Sequence, residues 1–287
     1  MSLLKRLLKR MMSPQQRAGL KRLKRHLVTF IKRPHKTSIA ELENILRYDL
    51  GITVGDRVFI SSSFGLLNAL DYSPHDVIVL LQQIVSDKGN IMMPYYPPIN
   101  AAECMNEQYC FDMERTVSGM GILTNEFSKM PDVVKSIHPI KSVCVWGRDA
   151  QKIANGHQKS KTPYYWDSPY GKMLQMGCKS IGLGVPNMPM GHALEDVLSE
   201  NIYEYYLPRK YNFRVRLADG TIQHIESLVP KPDMTRFFFF FWEIICNESI
   251  KKVPFGGGFI YIVNHDEKMM QSMKDSLGKG ITAYNCK

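Results

Sequence analysis

The sequence predicts an α/β protein three layers deep, with helices on both faces of a mixed central sheet and a smaller C-terminal α+β portion. Short apolar runs at 57–60, 90–94, 142–146 and 179–185 have strand length and are bounded by turn residues. Between them lie stretches opened by helix-capping residues, so strand and helix alternate. Beyond residue 200 the pattern changes. An alternating run at 211–217, an Asp219-Gly220 turn and a return run at 221–225 read as a hairpin.

The elements follow in order. Ser38 caps a helix over 39–49, with Glu41 where a capping box wants an acid. A turn over 51–56 leads to the strand at 57–60, which runs into the polar loop Ser61-Ser62-Ser63. Ser73-Pro74 opens a helix to 85, with Val77, Ile78, Leu80, Leu81 and Ile84 on its apolar side. The strand at 90–94 is followed by residues 95–118, which lack periodicity and read as a long surface loop. Helices are expected over 121–130 and 149–157, on either side of the strand at 142–146. Asp167-Ser168-Pro169 opens another helix, ending near Met176-Gly177. The strand at 179–185 gives way to a loop, Pro186-Asn187-Met188-Pro189-Met190-Gly191, and a helix from His192. After the hairpin, Thr235 caps a helix over 237–246 whose phenylalanines and Trp242 suit core or interface better than a cofactor box. A glycine turn and strand at 255–263 and a helix over 266–277 complete the chain.

Composition bounds the function. At 287 residues the chain can bury a large core, and 37–287 is expected to form one domain. No apolar run reaches the roughly 18–20 residues that a bilayer span needs. The N-terminus lacks a signal peptide's apolar centre, so a cytoplasmic protein is expected. Six cysteines show no CxxC spacing and read as reduced thiols, with neither a metal site nor a disulfide framework. The net charge of +10 is local: residues 1–36 hold 12 Lys and Arg and no acid, leaving 25 basic and 27 acidic residues in the body. Nucleic-acid binding by the body is therefore not implied. Residues 1–36 form a basic amphipathic extension, two helices broken at Pro14, suited to peripheral contact with the inner face of an anionic membrane. A solvated tail, or a helix packed on the body or on a partner subunit such as the second copy of a homodimer, are the alternatives. RNA is the weaker third, since Phe30 is the one aromatic side chain there to stack on bases.

Several familiar sites are missing: no GxxxxGK[ST], no GxGxxG after a strand, no HExxH and no GxSxG. Cys144, flanked by Val143 and Val145, reads as a core thiol. What remains is His192 with Glu195, at i and i+3 on one helical face, just past the carboxyl end of a strand. Ligands of open α/β sheets bind at that end. An imidazole held by a carboxylate can serve as a general base, and an ordinary helix start with a packed histidine is the plain alternative.

The order of short segments is more specific. Gly55-Asp56 and Ser62-Ser63 come first, then Thr116-Val117-Ser118-Gly119-Met120-Gly121, then Ser136-Ile137-His138-Pro139-Ile140-Lys141-Ser142. Gly156-His157, Ser168-Pro169-Tyr170-Gly171-Lys172, Gly182-Leu183-Gly184-Val185 and Gly191-His192-Ala193-Leu194-Glu195 follow. Over roughly residues 38–280 this closely resembles the aminoglycoside 3-N-acetyltransferase family. The resemblance implies transfer of an acetyl group from acetyl-CoA to an amino group of a sugar-like acceptor, without a metal. It implies His192 as general base and Glu195 as its orienting partner. It also implies that Ser62, Ser63, Ser118, Met120, Gly121, Ser136, His138 and Ser142 line the coenzyme A cleft. Lys135 could pair with a phosphate or be an ordinary exposed lysine, and His138 before Pro139 could equally be a structural histidine.

Three positions depart from the family's usual pattern. Ser61 stands where a histidine precedes the two serines, Val117 where a proline follows the threonine, and Pro189 where a threonine precedes the catalytic histidine. Polycationic aminoglycosides want an acidic cleft, and the body's charge balance is near neutral. The sequence reading therefore favours an acetyl- or acyl-CoA-dependent N-acyltransferase acting on an anionic, nucleotide-linked aminosugar for surface polysaccharide. Aminoglycoside 3-N-acetylation conferring antibiotic resistance is the alternative, and a membrane-recruited binding protein that keeps the fold without the chemistry is a third reading.

Overall fold

The computed structural model describes residues 37–63, 71–186, 188–231, 245 and 247–282. Residues 1–36 and the helix expected over 237–246 fall outside the described residues, apart from Ile245.

In chain order the elements are α1 (Ile39–Asn44), β1 (Arg57–Ser62), α2 (Pro74–Val85), β2 (Asn90–Pro94), α3 (Ala101–Cys104), β3 (Cys110–Asp112), α4 (Ile122–Phe127), β4 (Val134–Lys135) and β5 (Val143–Gly147). Then come α5 (Ala150–Ala154), α6 (Pro169–Gln175), β6 (Lys179–Leu183), α7 (Met190–Leu198), β7 (Tyr211–Arg216), β8 (Ile222–Ser227), β9 (Ile250–Phe255), β10 (Gly258–Asn264) and α8 (Glu267–Gly278). The capping residues act as expected. Ser73 and Asp76 form a reciprocal capping box with Pro74 in the first turn of α2, and Ser168 accepts the Gly171 N–H at the start of α6. α1 is shorter than expected and widens into a π turn over Ile45–Asp49.

Seven strands form one mixed sheet in the order β4-β5-β2-β1-β6-β10-β9. β1 lies between β2 and β6, parallel to both, so all three end on the same edge. β5 and β10 run antiparallel on either side. Alternation of side chains divides the core in two. Val58, Ile60, Ile91, Met93, Ile181 and Leu183 face α1, α2 and α4. Phe59, Met92, Val143, Val145, Tyr261 and Val263 face α5, α6, α7 and α8. The three-layer α/β/α prediction holds.

The C-terminal part divides differently from the expectation. The hairpin β7–β8 joins β3 in a separate three-stranded sheet, but β9 and β10 extend the central sheet. The expected loop at 95–118 is also more ordered than its composition suggests. Asn100 and Glu103 box-cap the short α3, and β3 pairs in parallel with β7. β3 is too short, and its partner too distant in sequence, for periodicity to reveal it.

Two segments of the family pattern turn out to build the frame. A Cβ on Gly171 would lie 2.3 Å from the Tyr165 carbonyl oxygen and 2.4 Å from the Trp166 Cα, so the glycine permits a backbone approach that no side chain allows. The next residue, Lys172, donates its ammonium protons to the carbonyls of Lys152, Ile153 and Asn155, satisfying the C-terminal end of α5. Gly171→Ala should therefore cost about 1–3 kcal/mol of stability, as overpacking does. Urea denaturation measures it; an unchanged midpoint would refute the close-approach account.

Candidate active site

The carboxyl ends of β1, β2 and β6 meet at one edge, and the expected residues gather there. Ser61 and Ser62 are the last residues of β1 rather than part of a loop, paired with Gly182 and Leu183 of β6. The Ser63 N–H donates to the Leu183 carbonyl at 2.9 Å. Ser61 shares the face of Phe59, toward α7. Its hydroxyl is buried and has no hydrogen-bond partner among the described residues. Gly182 is required beside it, because the Tyr261 ring fills the place of a side chain, 2.1 Å from an ideal Cβ.

α7 begins two residues earlier than the sequence suggests, at Met190, after Pro189. It brings His192 and Glu195 together as expected, with His192 Nδ1 3.5 Å from Glu195 Oε2. The His192 side chain is 13 % exposed, whereas Glu195 is fully buried, so solvent can reach the imidazole but not the carboxylate. The neighbouring Asp196 is buried too. Its Oδ2 accepts hydrogen bonds from Thr162 and Tyr206, and burial raises its carboxyl to about 7 against the pull of those two hydroxyls.

The loop that carries Ser118, Met120 and Gly121 folds against the same edge. Asn125, on the first turns of α4, accepts the Ser118 N–H at 2.7 Å and donates to the carbonyls of Ser118 and Gly121. The Met120 N–H donates to Ser118 Oγ at 3.1 Å. Gly119 donates to the Tyr96 carbonyl, and Gly121, with φ at +106°, lies near the backbone of Ser62. A cleft of about 520 Å³ opens between this loop, the start of the 96–104 segment and Ile140-Lys141.

Ser136, His138 and Ser142 lie behind that cleft, at 1 %, 2 % and 0 % exposure. Ser136 Oγ donates to His157 Nδ1 at 2.8 Å and accepts the Val143 N–H. Ser142 Oγ donates to the Ser136 carbonyl at 2.6 Å. His138 Nδ1 accepts the N–H groups of Ile140 and Lys141, and its Nε2 donates to Ser227 Oγ. The rings of His138 and His157 stack with centroids 4.4 Å apart. Each bond suits a neutral imidazole, and burial lowers His157 to about 3 and His138 in the same direction. These polar groups are satisfied internally, which is the geometry of structural residues. Lys135 likewise donates to the Met113 carbonyl at 2.7 Å rather than standing free.

Two residues that sequence reading did not single out, Tyr164 and Tyr96, join the parts. The Tyr164 ring lies 5.8 Å from the His192 ring, 5.0 Å from the Tyr170 ring and 5.8 Å from the Lys141 ammonium. Tyr96 bonds the Tyr170 hydroxyl at 2.7 Å and lines the cleft beside Lys141. Buried Tyr164 thus lies beside both the His192 ring and the Lys141 ammonium, and neither Tyr164 nor His192 is among the described residues that line the cleft. A larger hollow of about 950 Å³ lies at the other end of α7, around residues 198–201, and its lining among the described residues includes neither His192 nor the serines expected at the cleft. Among the described residues no group of His, Cys, Asp and Glu could hold a metal ion, and no helix is long and apolar enough to cross a membrane.

A mixed sheet covered on both faces, with a His–Glu pair beyond a parallel edge, defines an α/β protein of the kind whose ligands commonly bind at that edge. Residues 59–274 match the sequence profile of aminoglycoside 3-N-acetyltransferase, and the chain belongs to that family. A curated relative, the SPbeta prophage-derived aminoglycoside N(3')-acetyltransferase-like protein YokD of Bacillus subtilis, is 28 % identical over 125 residues. That alignment takes in 38 % of this chain and 46 % of YokD, so the match spans about half the relative's length. Among solved structures, aminoglycoside acetyltransferase AAC(3)-Xa superposes with a TM-score of 0.71 at 15 % identity, covering 91 % of this chain and 99 % of its own. AAC-IIIb, solved as a binary complex with CoASH, gives 0.68 at 17 % identity over 86 % of this chain and 98 % of its own. AAC-VIa bound to sisomicin gives 0.67 at 19 % identity over 86 % and 99 %. At these identities the likeness is one of fold.

The buried titratable groups set a pH dependence. His157 and, beside Ser180, His265 are each held near 3, below the 6.5 of a free imidazole. Below pH 6.5 the unfolded chain binds protons that the native protein does not, so each histidine removes about 1.4 kcal/mol of stability per pH unit lost. Asp196 acts oppositely between about 4 and 7, where the native state holds the extra proton. Unfolding stability should therefore fall from pH 6.5 to 4, and Asp196→Asn should steepen the fall by about 1.4 kcal/mol per unit. Equal slopes in the two proteins would contradict the assignment.

Proposed function

We propose that the protein transfers the acetyl group of acetyl-CoA to an amino group of an aminoglycoside-type acceptor, with His192 as general base. The observation that carries this is the 3.5 Å contact between His192 and the buried Glu195 at the edge where β1 and β6 end. A sugar ammonium has no lone pair with which to attack a thioester. An imidazole, whose ordinary titration range brackets neutral pH, can take the proton. The amine nitrogen then bonds to the thioester carbonyl carbon and the carbonyl electrons move to oxygen. As that oxyanion collapses it expels the coenzyme thiolate, which takes the first proton back from the imidazolium to leave as the thiol, and the added nitrogen releases its second proton to solvent to give the neutral amide. Glu195, unable to turn toward solvent, holds the ring and stabilises its charged form. Ser62 and Ser63 at the strand edge are suited to donate hydroxyl protons to the oxyanion.

In this reading Ser118, Met120 and Gly121 contact the pantetheine arm of the coenzyme. Ser136, His138 and Ser142 support the cleft wall from behind rather than offering polar atoms to the ligand. A second reading, in which the acceptor is an aminosugar that itself carries a negative group, is favoured by the cleft lining. Lys141 is the one charged side chain there among the described residues. A drug-susceptibility assay in an expressing host separates the two: gentamicin resistance supports the first, and unchanged susceptibility the second.

His192→Ala should lower kcat/KM for thiol release from acetyl-CoA by at least about 100-fold while the melting temperature stays nearly constant. Near-full activity would remove the base assignment. The basic extension, residues 1–36, is proposed to contact anionic membrane surfaces. Its deletion should abolish sedimentation with phosphatidylserine vesicles without changing turnover of soluble substrates; undiminished sedimentation would exclude that role.

A further inference from the structure

We propose that Asp196 is a positioning residue for His192: its carboxyl group tethers Thr162, and the turn that follows Thr162 lays the Tyr164 ring against the imidazole. The inference deepens the acetyl-transfer reading and rests on it for the role of His192 as base.

His192 and Asp196 stand at i and i+4 on α7, so they share one face, roughly 6 Å apart along the helix axis. Residues 160–168, which form neither helix nor strand, meet that face at two points. Thr162 donates its hydroxyl proton to Asp196 Oδ2, and two residues later the Tyr164 ring lies 5.8 Å from the His192 ring, tilted by 37°. Two extended residues span about 7 Å, which matches the separation of the two helix positions. The segment is thus pinned to α7 one turn beyond the histidine that it covers.

Each joint of this path is made. Thr162 Oγ also accepts the Tyr164 N–H at 3.2 Å, so one hydroxyl ties the carboxyl group to the backbone of the tyrosine. The Pro163 carbonyl between them accepts from His157 Nε2 at 3.0 Å. Tyr206, beyond the end of α7, donates to the same Asp196 oxygen. Thr162, Tyr164 and Asp196 are all buried, so solvent does not compete for these bonds. Among the described residues Asp196 makes no ion pair, and a buried carboxyl group without a cation is costly. Packing alone does not call for one. Holding two hydroxyls on one oxygen does, because a carboxylate is the stronger acceptor.

What the tether secures is the orientation of the catalytic ring. Rotation of an imidazole about its last side-chain bond is soft. The Glu195 contact, at 3.5 Å, is long for a hydrogen bond and constrains Nδ1 alone. The Tyr164 ring supplies the second constraint, and it does so only while the turn that carries it stays in place.

The test uses the full chain with Thr162→Val and Asp196→Leu, and Thr162→Ser as the variant that restores the hydroxyl. Turnover is followed as thiol release from acetyl-CoA with gentamicin, below the melting temperature of every variant. The His192 ring is observed in parallel by NMR of histidine-labelled protein, assigned with His192→Gln. The expected result is a kcat lowered about tenfold or more in Thr162→Val, KM values for acetyl-CoA and gentamicin within about twofold, and recovery in Thr162→Ser. The His192 ring resonances should shift in Thr162→Val and return in Thr162→Ser. A merely structural Thr162 would lower the melting temperature and leave kcat and the ring resonances in place, which overturns the proposal, as does a shifted ring with unchanged kcat. If the wild type releases no thiol, the acetyl-transfer reading fails for that acceptor and the ring still decides: resonances displaced in Thr162→Val support the tether, and unmoved ones overturn it. Asp196→Leu should reproduce Thr162→Val in both measurements. If it does not fold, Thr162→Val decides alone; if it folds with the His192 ring unperturbed, the carboxyl group is not the anchor and the proposal falls.

Discussion

The parallel pairing of β1 between β2 and β6 is the constraint on which the site depends. Because all three strands run the same way, their carboxyl ends fall on one edge, and the chain must leave the sheet there three times. The departures deliver Ser61 to Ser63, Tyr95 to Pro98 and the approach to α7 to the same place. A one-residue slip between β1 and β6 would move Ser61 to the opposite face and set Phe59 against the wrong helices. The two apolar faces hold that register, so the core that stabilises the protein also aims the serines.

Behind the edge, polar groups are used in two distinct ways. His138, His157 and His265 are neutral, buried and bonded, and they link segments far apart in sequence, such as Ser136 with Pro163 through His157. His192 differs: it keeps a solvent-accessible ring while its carboxylate partner is fully enclosed. Burying a carboxylate is costly, and an arrangement that sustains it beside a reachable imidazole makes chemical sense where a proton is to be received.

Much of the frame was legible in the sequence because it rests on local rules. The Ser73-Pro74 and Ser168-Pro169 openings, the Asp219-Gly220 turn and the i, i+3 spacing of His192 and Glu195 all need only neighbouring residues. What escaped depends on distant ones. β3 exists because β7, a hundred residues later, pairs with it, and the β9–β10 hairpin joins the central sheet only because β10 pairs with β6, far earlier in the chain. Tyr96 and Tyr164, from two separate segments, cluster with Lys141 of the 136–142 segment, and neither tyrosine carries a local signature. Conversely, Ser136, His138, Ser142 and Lys172 stood out as motif residues although their side chains bond within the frame. A recognisable pattern records what the fold needs as well as what a ligand touches.

The two outer strands of the central sheet have a bearing on self-association. β4 is only two residues long, and β9 carries Lys251, Lys252 and Pro254, the last without an N–H to offer. Short, charged and proline-bearing margins resist edge-to-edge addition of a further strand. Two copies would thus find little to gain by continuing one another's central sheet.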